Sequence, residues 1–359
     1  MNQMQPLLAF PILNTVLNPP GFVEIQHLYT SRSPETRYLV YYTKNSFYMK
    51  QYYYWLLTSL ALFSFSERSG HTPDSDFELS NYNVGERSCS SAFGGDVNTY
   101  TITDNGRHIG KSLWISRTSG RTKAKYFAHR QRGSNVHDRY TSWRTDGEAK
   151  TVVLKSSGAY ATGFEDSDLP VGITVDNGSV VNRRYEDDMD GLVIVYATGG
   201  IAISNIEDGD LRLASLDREV DVSQYGDRNA FIRWAQSENA TVFQTHLTIY
   251  KNELKVYPNA SRETARRKFL VLARDSSGEL FHVIFYLTRE YSLYRAASLT
   301  LDYLANTKQM DVIAAVNLDT GGFDILNTGG DAKDCNDRRV WGSSNNYEDM
   351  TNLLTYEYE

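Results

Sequence analysis

The stretch VIAAVNLDTGGFD, residues 312–324, decides how the rest of the chain is interpreted. Its apolar residues run into Asp319, and Gly321 and Gly322 follow almost at once. A short run that is almost wholly apolar predicts a strand covered on both faces. Glycine lacks a Cβ and can take positive φ, so backbone can approach a ligand beside Asp319. The pattern predicts a carboxylate at the rim of a sheet, and a structural aspartate in a tight turn is the alternative.

Further strand, turn and helix signals precede this stretch in a definite order. The apolar and turn patterns predict a strand at 244–247, a turn at 251–253, strands at 269–273 and 281–286, and a helix at 293–304. Arg266 and Arg267 stand directly before the strand at 269–273. Upstream, residues 152–158 read VVLKSSG and residues 169–178 read LPVGITVDNG.

This order of parts resembles the phosphodiester glycosidase family, over roughly residues 150–326. That family includes the enzyme that uncovers mannose 6-phosphate tags and bacterial exopolysaccharide-associated proteins. In it a QSGP-like motif, an arginine before a strand, and a strand ending in LDGG follow one another. VVLKSSG lies where the family carries an NGG motif, and LPVGITVDNG looks like its conserved hairpin. The resemblance implies an α+β fold with a mixed, largely antiparallel sheet and packed helices.

The resemblance also implies roles for particular residues. Arg266 or Arg267 would clamp a phosphate, because a guanidinium fork matches two phosphate oxygens. Asp319 would act as base, nucleophile or electrostatic stabiliser near the anomeric carbon, and Asp324 is the nearest second carboxylate. His246 could donate a proton, although a lone histidine is more often structural. The implied substrate-binding residues are Gln244, Thr245, His246, Ser156, Ser157, Gly321 and Gly322, and no cofactor is implied.

Three motif positions differ from the family pattern. Ser156 or Ser157 replaces the asparagine of NGG, Thr245-His246-Leu247 replaces SGP, and Thr320 stands inside LDGG. Two functions are compatible with these changes. One is a secreted hydrolase that cleaves a sugar-phosphodiester or related glycan linkage. The other is a non-catalytic glycan-binding or surface protein on the same fold.

Local signals divide the chain into six regions. Hairpins are predicted at Asn105-Gly106, at 176–178 and at Gly199-Gly200. Asp227 is expected to cap a helix through Phe231, Trp234 and Ala235, and Ser292 to precede a second amphipathic helix. The expected regions are an unstructured or misassigned extension at 1–48, a signal peptide at 49–66, a polar linker at 67–100, a hairpin-rich lead-in at 101–148, the glycosidase-like domain at 149–328 and a polar tail at 329–359.

The segment at 49–66 carries the prediction of localisation. Met49-Lys50 is followed by an apolar run too short to span a bilayer comfortably, and then by small residues. This layout predicts secretion, to the periplasm or cell surface, with no stable membrane span after cleavage. A buried apolar helix is the alternative. Cys89 and Cys335 are the only two cysteines of the chain, so they form one disulfide or remain two free thiols.

Charge and composition restrict the partners. The formal net charge is −7, which argues against nucleic acid as a ligand. One local exception lies between residues 117 and 144, where cations alternate with aromatic residues. This segment predicts either a surface for an anionic sugar polymer or a solvated hairpin face. Histidine spacing and the absence of CxxC predict no transition-metal site, and residues 186–191 are an acidic turn or a faint calcium loop. The cations are Arg121, Lys123, Lys125, Arg130, Arg132 and Arg139, and the aromatic residues are Tyr126, Phe127, Tyr140 and Trp143.

Overall fold

The fold is that of a computed structural model, which describes most of the chain after residue 82. The described residues are 83–129, 135–146, 150–161, 169–207, 209, 211–213, 218–258, 263–322, 324–343 and 350–359. The predicted extension at 1–48 and the predicted signal peptide at 49–66 therefore lie outside the described residues, as do Arg130 and Arg132.

The described chain is built from antiparallel strands with three α-helices. The helices are α1 (Val136–Thr145), α2 (Tyr225–Ser237) and α3 (Leu293–Asp302), and α3 continues into a π-helical turn at Tyr303–Thr307. The strands are β1 (Val84–Ala92), β2 (Val97–Asp104), β3 (Arg107–Ser116), β4 (Thr122–Ala128), β5 (Thr151–Ser156), β6 (Thr174–Asp176), β7 (Ser179–Asn182), β8 (Gly191–Val195), β9 (Ile201–Asn205), β10 (Arg212–Leu213), β11 (Arg218–Glu219), β12 (Thr241–Thr245), β13 (Leu247–Tyr250), β14 (Glu253–Leu254), β15 (Ala265–Arg274), β16 (Leu280–Tyr291), β17 (Asp311–Leu318), β18 (Leu326–Thr328) and β19 (Asn352–Tyr358).

Three larger sheets surround the main core. The eight-stranded sheet has the order β1-β2-β3-β16-β15-β17-β13-β14, the five-stranded sheet β7-β6-β12-β8-β9, and the four-stranded sheet β18-β5-β19-β4. One apolar cluster joins residues of all three sheets, including Leu270, Phe243 and Leu354. The predicted α+β class, with a largely antiparallel sheet and packed helices, is confirmed.

The apolar part of VIAAVNLDTGGFD lies in β17, a central strand of the eight-stranded sheet. β17 pairs with β15 on one side and with β13 on the other. Ala314 and Val316 belong to the core cluster shared by the three sheets. Val312 and Ala315 belong to a second cluster, which α3 covers on the opposite face. The expectation of a strand buried on both faces is therefore confirmed.

Local turn and cap signals also hold, with one shift. Asn105 and Gly106 both have positive φ in the β2–β3 turn, as a tight hairpin requires. The Ser292 hydroxyl accepts a hydrogen bond from the Arg295 N–H at 3.3 Å and caps α3. Helix α2 begins at Tyr225, before its expected cap. Asp227 therefore lies in the first turn of the helix, where its carboxylate pairs with Arg218.

The structure differs from the expected regions at both ends. Residues 84–100, expected in a polar linker, form β1, a 3₁₀ turn and part of β2 at the edge of the eight-stranded sheet. An edge strand needs few apolar residues, which is why its sequence looks like a linker. Residues 352–358, expected in a polar tail, form β19 between β5 and β4. Helix α1 also replaces part of the hairpin-rich lead-in.

Cys89 and Cys335 form a disulfide between β1 and the segment that precedes β19. The same segment is held by a buried ion pair, in which Lys111 Nζ lies 2.7 Å from an Asp334 carboxylate oxygen. The hydroxyl of Thr99 donates a hydrogen bond to the carbonyl of Lys333 at 2.5 Å. Among the residues that the structure describes, no helix is long and apolar enough to span a membrane.

Candidate functional site

Asp319 follows β17 directly and lies almost buried, with 9% of its surface exposed. Its N–H donates to the Gly158 carbonyl, and its own carbonyl accepts from the Ser157 hydroxyl, each at 2.8 Å. One carboxylate oxygen accepts the Gly321 N–H at 2.8 Å. Burial raises the pKa of Asp319, because a low-dielectric environment disfavours its charged form. The turn thus holds the carboxyl in a fixed position.

The two glycines after Asp319 are exposed. A Cβ at Gly321 would lie 3.1 Å from a carboxylate oxygen of Asp319, a contact tighter than most side chains make. Gly321 is absent from the positive-φ residues, so close approach, rather than a left-handed backbone, is what this position requires. The expected approach of backbone to a ligand beside Asp319 stays a prediction.

Four other side chains gather beside Asp319, and together with it they are called the outer cluster: Tyr160, His246, Arg267 and Asn317. The rings of Tyr160 and His246 pack edge to face with centroids 5.4 Å apart. The hydroxyl of Tyr160 contacts the Asn317 amide. Burial raises the pKa of Tyr160, while the nearby Arg267 guanidinium opposes the rise and Asp319 adds to it. Tyr160 therefore lies within electrostatic range of both the arginine and the carboxyl.

The outer cluster has features of a ligand site. The Asn317 side-chain oxygen is buried and has no hydrogen-bond partner among the residues that the structure describes, which costs free energy unless a ligand or water satisfies it. Burial lowers the pKa of His246, so its imidazole is neutral near neutral pH. Arg267 donates through Nε to the Tyr291 carbonyl at 3.1 Å and through Nη2 to the Glu263 carbonyl at 3.0 Å. Those bonds orient the guanidinium while leaving donors available.

A second group, the inner cluster, lies behind Asp319 and is completely enclosed: Lys268, Ser157, Tyr286 and Asp324. Lys268 Nζ is 2.6 Å from the Ser157 hydroxyl and 3.5 Å from an Asp324 carboxylate oxygen. The Tyr286 hydroxyl donates to the other Asp324 oxygen at 2.6 Å. Burial lowers the pKa of Lys268, and Asp324 opposes this. The four side chains of the inner cluster are buried, and Lys268 also donates to the Ile325 carbonyl at 3.0 Å.

The structure brings together only some of the residues expected in the site. Asp319, His246 and Arg267 share the outer cluster, and Ser157 touches the backbone of Asp319. Asp324 is fully buried in the inner cluster, so it lies in the interior instead of facing a substrate. Arg266 is exposed, and its guanidinium lies near the Tyr286 hydroxyl, where it lowers the burial-raised pKa of that phenol.

Three other expected binding residues hold the fold. The Gln244 amide donates to the carbonyls of Glu186 and Met189 at 2.8 and 2.6 Å, and accepts from the Ile173 N–H at 3.1 Å. The hydroxyls of Thr245 and Ser156 are buried and donate to the carbonyls of Asn317 and Ser157, at 2.6 and 2.8 Å. These polar groups therefore make hydrogen bonds within the protein. Two of the Gln244 bonds go to backbone carbonyls of the acidic turn at 186–191.

Two further polar residues near the site were not among the expected site residues. Tyr160 follows VVLKSSG, but nothing in its spacing indicates a contact with Asn317. Asp190 precedes β8, and its carboxylate accepts the Leu247 N–H at 2.8 Å beside His246. Burial raises the pKa of Asp190 to about 6. Among the described residues, no group of three or more His, Cys, Asp or Glu side chains is arranged to hold a metal ion.

Comparison with known proteins gives remote structural similarity only. No protein-family model and no curated protein matches the chain. A zebrafish N-acetylglucosamine-1-phosphodiester alpha-N-acetylglucosaminidase catalytic domain, auto-inhibited by its pro-peptide, is similar at 11% identity and a TM-score of 0.40, over 81% of this chain and 87% of that one. A hypothetical protein from Synechocystis is similar at 11% identity and a TM-score of 0.37, over 76% of this chain and 61% of that one. Similarity at this level assigns no activity to the chain.

Proposed function

We propose that the chain is a hydrolase that cleaves a sugar-phosphodiester or a related glycan linkage at the outer cluster. The observation that carries the proposal is the nearly buried carboxyl of Asp319, held beside Tyr160 and the Arg267 guanidinium. A carboxyl near a phosphate-binding guanidinium fork is what such a reaction needs, because positive charge develops at the anomeric carbon while the leaving group is a phosphate.

The roles follow from the chemistry of each group. Arg267 binds the phosphate of the substrate, and Asp319 faces the anomeric carbon and stabilises its developing positive charge. Water attacks that carbon, the bond from carbon to phosphate oxygen breaks, and a phosphomonoester leaves. Neutral His246 takes the proton of the attacking water. Tyr160 stays protonated because its pKa is raised by burial, so its hydroxyl can donate a hydrogen bond.

The test replaces Asp319 by Asn, which keeps shape and hydrogen bonding and removes the charge. Turnover of a panel of sugar-1-phosphodiesters should fall by about 10² or more, with little change in melting temperature. Asp311→Asn is the matched control, because Asp311 begins the same strand at its other end and is exposed. A structural aspartate would instead lower the melting temperature and leave turnover per folded molecule unchanged.

The second candidate function is non-catalytic glycan binding on the same fold. The observation that favours it is the internal use of Gln244, Thr245 and Ser156, which occupy positions where the glycosidase family carries site motifs. If this function is correct, the wild-type chain binds members of the same panel without hydrolysing any of them. Calorimetric binding without product formation would then replace the hydrolase proposal.

A further inference from the structure

A second surface lies on the four-stranded sheet, and none of its residues belongs to the outer cluster. In β4 the residues Ala124, Tyr126 and Ala128 point into the core shared by the three sheets. Side chains alternate along a strand, so Lys123 and Lys125 point to the outer face. β4 is the last strand at one edge of its sheet, and α1 covers part of this face, where Val136 and Tyr140 pack on Phe127.

At that edge the outer face continues into a groove. We call it the basic groove and define it by Lys123, Lys125, Asn177, Tyr196 and Asn239, together with one carboxylate, that of Glu357. Tyr196 is 39% exposed, which is more than most large aromatic side chains of the described residues, although less than Tyr225 and Tyr257. One side of its ring packs on Trp234, with centroids 6.5 Å apart. Asn177 and Asn239 stand at turn positions with positive φ, which fixes them at the tips of two loops.

The pairing of β4, β19 and β5 places a second lysine in line with Lys125, away from the groove. Thr355 of β19 lies opposite Lys125 on one side and opposite Lys155 on the other. The two lysines therefore share one row and are about 10 Å apart, twice the spacing of neighbouring strands. Arg144, near the end of α1, lies close enough to Lys155 to lower its already burial-lowered pKa. The row thus forms a line of positive charge across the sheet.

Carboxylates on this face are already engaged. Asp176 pairs with Arg139, Glu357 lies 3.6 Å from Lys150, and Glu359 lies 2.5 Å from Lys123. Burial lowers the pKa of Lys125; the neighbouring Asp176 and Glu357 oppose this, and Arg139 and Lys150 add to it. Lys123, Lys125, Arg139 and Lys150, with Lys155 and Arg144 beside them, outnumber these three carboxylates, so an added anion is favoured. The face is positive although the whole chain carries a formal charge of −7.

We propose that the basic groove and the lysine row bind an anionic glycan, a chain whose sugars carry carboxylate or sulfate groups. The exposed Tyr196 ring offers an apolar face to a sugar ring. The amides of Asn177 and Asn239 can both donate to and accept from sugar hydroxyls. Lys125 and Lys155 provide point charges for successive acidic groups. The combination of ring, amides and ammonium groups fits a charged sugar better than a nucleic acid, whose binding proteins carry a basic excess.

The experiment measures binding of the full chain to four polymers: polygalacturonate, dextran sulfate, neutral dextran and duplex DNA. Affinity electrophoresis at low salt should show retardation by one or both acidic glycans and little by dextran. Polygalacturonate alone would identify carboxylate as the ligand chemistry, and dextran sulfate alone would identify sulfate. Retardation should largely disappear at about 1 M salt, where the Debye length is about 3 Å.

Variants locate the site. Lys125→Ala with Lys155→Ala should weaken binding about tenfold, as expected for two partly exposed charge contacts. Tyr196→Ala should weaken it about fivefold through loss of the ring face. Lys251→Ala, in the exposed turn after β13, is the matched control and should bind as wild type does. Melting curves should show that all variants are folded.

Three results would overturn the proposal. These are no retardation by either acidic glycan, equal losses in Lys251→Ala and the double variant, or equally tight binding of duplex DNA. Asp319→Asn should bind acidic glycans as wild type does, because Asp319 is not part of the basic groove. That variant separates this surface from the proposed hydrolase site, since either one can fail without the other.

Discussion

Reduction of the Cys89–Cys335 disulfide should destabilise the folded chain strongly. The two cysteines are 246 residues apart in sequence, so the bond closes a very long loop in the unfolded chain. On the chain-entropy model a loop of this size is worth about 5 kcal/mol at 25 °C. The native state should change little, because the Lys111–Asp334 ion pair and the bond from Thr99 to the Lys333 carbonyl hold the same segment. The effect therefore acts mainly on the unfolded state.

Urea unfolding with and without a thiol reductant measures this difference. We expect the reduced chain to unfold at clearly lower urea, with a loss of several kcal/mol in the free energy of unfolding. Cys89→Ser with Cys335→Ser should match the reduced wild type, and reductant should not affect that variant. A difference below about 1 kcal/mol would refute the reasoning, since it would mean that the unfolded chain gains little freedom when the loop opens.

The remaining predictions concern the phosphate clamp, the response to pH and export. Arg267→Ala should weaken phosphate-bearing ligands by about 1.5–3 kcal/mol and neutral glycans much less, measured by calorimetry, with exposed Arg274→Ala as the control; equal losses would mean a structural arginine. The pKa of Asp190 is about 6 in the folded protein, above its ordinary value of 3.8, so its contribution to stability is complete below the lower value and is lost as pH rises through the higher one. Asp190→Asn should flatten this part of the stability profile in urea unfolding, and an unchanged profile would contradict the assignment. Expressed from Met49 in a bacterial host, the chain should be exported and lose residues up to about Ser64–Arg68, and N-terminal sequencing would show an intact N-terminus if the segment is no signal.

Features that depend on neighbouring residues were predictable from the sequence. Ser292 caps α3 because the capping hydroxyl and the amide it accepts from are three residues apart. The turn at Asn105-Gly106 follows from the positive φ that both residues tolerate. β17 was recognisable because a strand buried on both faces needs an unbroken apolar run, and VIAAV supplies one. In each case the physical cause and the signal lie within a few residues.

Features that depend on distant residues were not predictable. The end of β17 marks Asp319, but whether a nearby carboxylate faces solvent depends on the chain around it. Asp324, only five residues later, is enclosed by Lys268 and Tyr286, which are 56 and 38 residues away. Gln244 has the residue type of a ligand-binding amide, but its partners are loop carbonyls brought together by the fold. β1 and β19 look polar because an edge strand and a strand with one polar face require few apolar residues.

The inner cluster belongs to a row of polar side chains on an otherwise apolar face. Lys268, Tyr286 and Lys111 are cross-strand neighbours on β15, β16 and β3. Opposite them, Asp324 and Asp334 belong to the segment that follows Asp319 along the chain. A buried ion pair is seldom more stabilising than apolar side chains of similar volume, so stability alone does not explain this row. Its effect is to fix where that segment crosses the sheet.

This leads to a last prediction, that the Lys268–Asp324 pair positions Asp319. Lys268→Met alone should lower the free energy of unfolding by about 3–5 kcal/mol, because it leaves a buried carboxylate unpaired. Lys268→Met combined with Asp324→Leu removes both charges and should recover much of that stability in urea unfolding. If the pair positions Asp319, the double variant still loses turnover, whereas the pH dependence of kcat changes little, because Lys268 lowers and Asp324 raises the pKa of Asp319 and the variant removes both. A double variant with wild-type stability and turnover would show that the pair only fills the interior and that the Asp319 turn is fixed by its backbone bonds to Ser157 and Gly158.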